Sequence, residues 1–116
     1  MNRTENPVAV VTGGSRGIGR AICGELAGEG YRVVVNYHSN GEAAEETLAL
    51  IRKQGGQGEI SRFDVADTRE TQKAIEEIIG RYGHIHVLVN NAGITSDGLF
   101  VFMTENEWDS VMNTHL

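Results

Sequence analysis

The chain has one cysteine and one proline in its 116 residues. Cys23 alone cannot close an internal disulfide, which excludes a cross-linked secreted scaffold. It falls within a helical pattern, and a buried structural thiol is expected there. With Pro7 the sole proline, there is no proline-rich linker, and no segment is of low complexity. The N-terminal stretch MNRTENP lacks the apolar centre of a secretory signal. No apolar run approaches the length that a bilayer requires, so a cytoplasmic protein without membrane contact is expected. Basic residues number 10 against 16 acidic ones, and they are scattered. A net charge of −6 without a basic stripe gives nothing to neutralise a phosphate backbone, and no nucleic-acid partner is expected. No metal is expected either.

Glycine is abundant, with 15 residues, and the apolar and charged fractions of 40% and 22% are those of a folded domain. Val8–Val11 is a short β-branched run that reads as a buried strand. From Ile18, apolar residues recur at Ile22 and Leu26 with helical spacing, and Gly28 and Gly30 close that helix, Gly30 as a left-handed cap. Arg32–Tyr37 predicts a second strand, and Glu42–Gln54 a helix ended by Gly55–Gly56. Gly58–Asp64 predicts a third, weaker strand. Asp67 with Glu70 reads as a capping-box-like start to a third helix, which turns Ile75, Ile78, Ile79 and Tyr82 inward and stops near Gly83. His84–Asn90 predicts a fourth strand. After a loop, Thr104 and Glu107 form a second cap candidate before Trp108, Val111, Met112 and His115.

This alternation is that of an α/β fold, a Rossmann-type doubly wound parallel sheet. Right-handed crossovers give its first four strands the order 3-2-1-4. The crevice at the reversal lies between the C-terminal ends of the first and fourth strands, where Gly13–Gly19 and Asn90–Gly93 both fall. A fourth strand as apolar as IHVLV would be an unprotected edge if nothing followed it. The sequence also stops within a periodic helix. A truncated sheet is therefore expected, with residues 1–116 the N-terminal part of a single nucleotide-binding domain.

The stretch VVTGGSRGIGRAI joins the first strand to the first helix. Gly13, Gly17 and Gly19 allow a tight turn, close approach to a ligand and close packing of helix on strand, and N–H groups near Ser15–Ile18 would face a pyrophosphate. A glycine-rich turn that binds nothing is the bland alternative, weakened by placement between strand and helix. No Lys-Ser or Lys-Thr follows the last glycine, so this is not a Walker loop. A methyl-donor site would call for a carboxylate after the second strand. A carboxylate there would also favour NAD, but the segment reads Asn36, Tyr37, His38, Ser39, Asn40, and the first acid is Glu42. Arg16 offers a guanidinium for a 2′-phosphate, so NADP(H) is the expected cofactor, although a solvated loop cation remains the alternative for Arg16.

With those residues in view, the chain resembles the classical short-chain dehydrogenase/reductases, and within them the 3-oxoacyl-[acyl-carrier-protein] reductase group. Thr12–Gly19 matches the family's Thr-Gly-x-x-x-Gly-x-Gly, Asp64–Val65 its Asp-Val, and Asn90–Gly93 its Asn-Asn-Ala-Gly. The continuation ITSDGLF looks like that reductase group. The resemblance implies that Gly13, Ser15, Arg16 and Ile18 hold the pyrophosphate and 2′-phosphate, and Gly17, Gly19, Asn36 and His38 are further candidate cofactor-binding residues. It implies that Asp64 accepts from the adenine amino group with Val65 packed alongside, and that Asn90, Ala92 and Gly93 line the ribose and nicotinamide. Asn91 is expected to be a scaffold residue. His115 stands where the family has a catalytic Asn, either in a proton relay or as a buried helix residue. The family's Ser and Tyr-x-x-x-Lys have no match: Tyr31, Tyr37 and Tyr82 are the only tyrosines, and none has Lys four residues later.

The resemblance thus implies NADPH-dependent reduction of a 3-oxoacyl thioester, small-molecule or carrier-bound, by a longer protein that is commonly oligomeric. Other carbonyl substrates, a non-catalytic NADP-binding or complementing half-domain, and an element that pairs through its fourth strand remain open.

Overall fold

The computed structural model describes residues 6–91 and 100–102. Its elements are β1 (Val8–Thr12), α1 (Gly17–Gly28), β2 (Arg32–Tyr37), α2 (Gly41–Lys53), β3 (Gln57–Arg62), α3 (Thr68–Tyr82), β4 (Val87–Asn90) and β5 (Phe100–Phe102). The sheet order is β3-β2-β1-β4-β5, with the first four strands parallel and β5 antiparallel to β4. The expected 3-2-1-4 arrangement is therefore present. β4 is not an edge, because β5 follows it and pairs with it from Leu88↔Phe102 to Asn90↔Phe100. The expected helix after Thr104 lies outside the described residues, as does His115.

Alternation along the valine-rich strands divides the core into two layers. Ala9, Val11, Val33, Val35, Val87 and Val89 face α1 and α2, packing with Cys23, Ala27, Ala44 and Ile51. Val8, Val10, Val34 and Leu88 face α3, packing with Ile75, Ile78 and Ile85. Each fully buried valine contributes about 1.5–3 kcal/mol relative to exposure, so β1 and β2 anchor both layers.

Local signals account for the boundaries. α1 ends in a Schellman turn: Gly30 takes φ 97°, its N–H reaches Ala27 O at 3.1 Å, and Tyr31 N–H reaches Leu26 O at 3.1 Å. α2 ends likewise, with Gly55 N–H on Arg52 O and Gly56 N–H on Ile51 O. Asp67 caps α3 by accepting from Glu70 N at 3.0 Å. Glu70 does not return the bond to its cap as a strict capping box would; its carboxylate accepts from Asp64 N at 3.0 Å, fixing the loop after β3 instead. β4 begins three residues later than the sequence pattern suggests. At His86 the backbone N–H donates to Val8 O at 2.8 Å, but Val8 N–H donates to the His86 ring Nδ1 at 3.0 Å in place of a strand carbonyl.

Candidate functional site

β1 and β4 end side by side, with Thr12 opposite Asn90. The Thr12 hydroxyl joins them, 3.0 Å from Asn90 Oδ1. The loop from Gly13 to Arg16 then rises into α1. Gly13 and Gly17 adopt φ of 63° and 60°, values that other residues rarely take. Gly19 is needed for a different reason: a Cβ there would lie 2.1 Å from Gly13 O. The helix and the end of the strand can touch only through glycine at that position.

Three neighbouring elements hold the loop. From β2, Asn36 Oδ1 accepts from Gly13 N at 3.0 Å, and Asn36 O accepts from Gly14 N at 3.0 Å. The Asn36 amide also donates to Phe63 O at 3.0 Å, linking the loop to the end of β3. After β4, Asn91 Nδ2 donates to Gly13 O at 2.9 Å. From α2, Thr47 donates to Ser15 O at 2.9 Å. Arg20 donates to that same carbonyl at 2.6 Å and to Thr47 Oγ1 at 2.9 Å. Beneath the loop lies Cys23, whose thiol is pushed up to about 12 by burial and is therefore an inert packing group.

Above the loop is an open cleft of about 360 Å³, lined by Gly13, Ser15, Arg16, His38, Ser39, Asn40 and Asn91. No carboxylate is among those residues. The first turn of α1 carries no acidic side chain, and Arg16 at its N-cap makes no capping hydrogen bond. The N-termini of α2 and α3, by contrast, are closed by Asn40 and Asp67. An uncapped helix start presents backbone N–H groups and the positive end of the helix dipole, a setting that suits an anion. Ile18, 65% exposed on that first turn, adds an apolar surface. At the far end, His38 Nε2 lies 3.7 Å from Asp64 Oδ2, and Asp64 Oδ1 accepts from Ala66 N at 2.9 Å. Val65 is half-buried beside them.

Of the expected residues, Gly13, Ser15, Arg16 and His38 line the cleft, Gly17, Ile18 and Gly19 form the first turn of α1 next to it, and Asp64 lies behind His38. Asn36 is different. It is 2% exposed and committed to backbone partners, so it braces the loop from below and does not face a ligand. Gly13 lines the cleft, but its N–H and carbonyl are occupied by Asn36 and Asn91. Asn91 ties the strand end to the loop, as a scaffold residue should. Asn90 is half-buried at the end of β4. Ala92, Gly93 and His115 lie outside the described residues. Sequence reasoning missed Arg20 and Thr47; a polar residue on the apolar face of α2 was the available signal for Thr47. Among the described residues no group of three His, Cys, Asp or Glu side chains is placed to hold a metal ion. No described helix is long and apolar enough to cross a membrane.

Comparison with known proteins agrees with this architecture. The 3-oxoacyl-[acyl-carrier-protein] reductase FabG of Staphylococcus aureus is 47% identical over 108 residues, covering 93% of this chain and 44% of the relative. Elsinochrome reductase 1 of Elsinoe fawcettii is 40% identical over 110 residues, covering 95% of this chain and 41% of its own. A short chain dehydrogenase from Burkholderia cenocepacia, solved in complex with NADP, superposes with a TM-score of 0.71 at 39% identity, over 80% of this chain and 38% of that one. The chain therefore spans less than half the length of these relatives. The model of the short chain dehydrogenase family matches residues 7–116. On that match and these identities, the chain belongs to the short chain dehydrogenase family.

Proposed function

We propose that residues 1–116 form the cofactor-binding part of a single domain in an NADP(H)-dependent ketoreductase, one that reduces a 3-oxoacyl thioester to its 3-hydroxyacyl form. The observation that carries the cofactor reading is the cleft over the uncapped start of α1, which presents Arg16 and His38 and no carboxylate among its lining residues. The packing of Gly19 on Gly13 fits it, since this keeps the helix start close enough for its N–H groups to reach a pyrophosphate. In this reading Ser15, Gly17 and Ile18 meet the pyrophosphate, and Arg16 with His38 meets the 2′-phosphate. Asp64 accepts from the adenine amino group against Val65, and Asn90, Ala92 and Gly93 line the ribose and nicotinamide. A bound nicotinamide supplies the hydride, while the residues of this chain orient it.

The acyl substrate rests on the resemblance to FabG of Staphylococcus aureus. The similarity to Elsinochrome reductase 1 favours a second reading, in which the same scaffold serves another carbonyl compound. Without a Tyr-x-x-x-Lys pattern, the 116 residues bind cofactor and do not complete the proton transfer. The full-length protein is then an oligomeric cytoplasmic enzyme.

Calorimetric titration of the chain with NADPH and NADH tests the cofactor reading. NADPH is expected to bind at least about tenfold more tightly, one charge-assisted contact being worth roughly that ratio. Equal affinities would remove the 2′-phosphate from the account. Turnover of 3-oxoacyl thioesters against other ketones, in a polypeptide that carries the Ser and Tyr-x-x-x-Lys, separates the two substrate readings.

A further inference from the structure

Arg20 and Thr47 sit below the glycine loop, away from the cleft, yet both converge on a single atom of it. Ser15 O accepts from Arg20 Nη2 at 2.6 Å and from Thr47 Oγ1 at 2.9 Å, which uses both of its lone pairs. Arg20 Nε donates to Thr47 Oγ1 at 2.9 Å, so the threonine hydroxyl relays between guanidinium and carbonyl. The same Nη2 also lies 3.1 Å from Ala43 O and 3.2 Å from Glu46 Oε1, so its two N–H groups are shared between the loop carbonyl and α2. Thr47 is fully buried. Helix packing does not require such an expensive arrangement at this spot, since an apolar residue would fill the same space without needing partners.

Peptide geometry shows what the arrangement achieves. No peptide in the described chain is cis, and in a trans peptide the carbonyl and the following N–H point in opposite directions. Pulling Ser15 O down toward α2 therefore turns the Arg16 N–H the other way, to the open side of the loop. Ser15 and Arg16 both line the cleft there. We infer that Arg20 and Thr47 are positioning residues for ligand recognition: they lock the Ser15–Arg16 peptide so that its backbone N–H donates to the pyrophosphate of the bound nucleotide, while the Arg16 side chain is left for the 2′-phosphate. This rests on the nucleotide-binding reading above and deepens it. A bond pre-aimed in the free protein carries no ordering cost when the ligand arrives.

The test compares two ligands on the full chain and its variants: NADPH, which has a pyrophosphate, and adenosine 2′-monophosphate, which has none. In Thr47→Val the relay is cut while side-chain volume is kept. NADPH affinity is expected to fall about tenfold, the effect of one lost or misdirected hydrogen bond, with adenosine 2′-monophosphate affinity within about twofold of the parent. Thr47→Ser restores the hydroxyl and should recover NADPH binding. If Thr47→Val does not fold, Arg20→Lys serves in its place, because an ammonium cannot reach Thr47, Ser15 and Ala43 together. The Arg16 amide resonance gives an independent signature: its NADPH-induced shift should shrink in the variants. Equal losses for both ligands, or no loss for either, would overturn the inference and leave the nucleotide reading standing. Failure of the parent chain to bind either ligand would overturn both.

Discussion

Among the described residues that line the cleft Arg16 is the one strong cation, and at the N-cap of α1 its side chain makes no capping hydrogen bond. Arg16→Glu places a carboxylate where a 2′-phosphate would lie, so the dissociation constant for NADPH should rise about 30-fold or more and that for NADH far less. Parallel titrations with both cofactors read the ratio, and equal changes would return Arg16 to the role of a solvated surface charge. Asn36 makes the opposite kind of contribution. Asn36→Ala strips partners from half-buried Gly13 N and buried Phe63 O at once, and about 2–4 kcal/mol of folding stability should be lost. Urea unfolding measures it; a loss below about 0.5 kcal/mol would mean that water replaces the brace. The sequence distinguishes these two residues poorly. Arg16 is exposed in a loop, and its chemistry can be read from its type. Asn36 follows three valines at the end of a strand, and whether its side chain turns toward the ligand or under the loop depends on where β1 and β3 lie. No local pattern encodes that.

At the scale of elements, α1 owes its placement to small contacts that a periodicity count does recover. Gly30, Gly55 and Gly83 end their helices at the positions that helical spacing suggests. Asp67 likewise caps α3 as a short polar residue before an amphipathic run should. The partner of Glu70 was illegible, because a three-residue offset fits two acceptor geometries and only the fold of the loop selects Asp64 N. Cys23 ties α1 to the sheet, and its burial has a consequence in alkali. The thiol is pushed up from its ordinary 9.0 to about 12 by desolvation. Above pH 9 the unfolded chain releases this proton while the folded chain keeps it, so the unfolded state binds fewer protons and stability falls as pH rises toward 12. Cys23→Ala should lower stability at neutral pH through the cavity it leaves, and should flatten this alkaline slope. Denaturation midpoints taken from pH 8 to 11 show whether the slope changes.

For the whole molecule, the order of the parallel strands was legible because alternation and right-handed crossovers leave few topologies. β5 was not. Three residues, Phe100–Phe102, carry too short a pattern to separate strand from loop, and their pairing is specified by the open edge of β4 rather than by their own periodicity. The bond between Asn91 and Gly13 spans 78 positions of sequence, and that between Asn36 and Gly13 spans 23. A site fastened by contacts so remote along the chain must wait for closure of the largest loop, since the entropy of closure is met before such a contact gives any return. Helical signal should therefore precede nucleotide affinity during refolding, and a stopped-flow experiment with circular dichroism and a fluorescent nucleotide can time the two. Simultaneous appearance would argue against this order. A nascent chain released before Asn91 would carry every glycine of the loop and still be unable to hold it in shape, so the ability to bind arrives last, with the residue that closes the circuit.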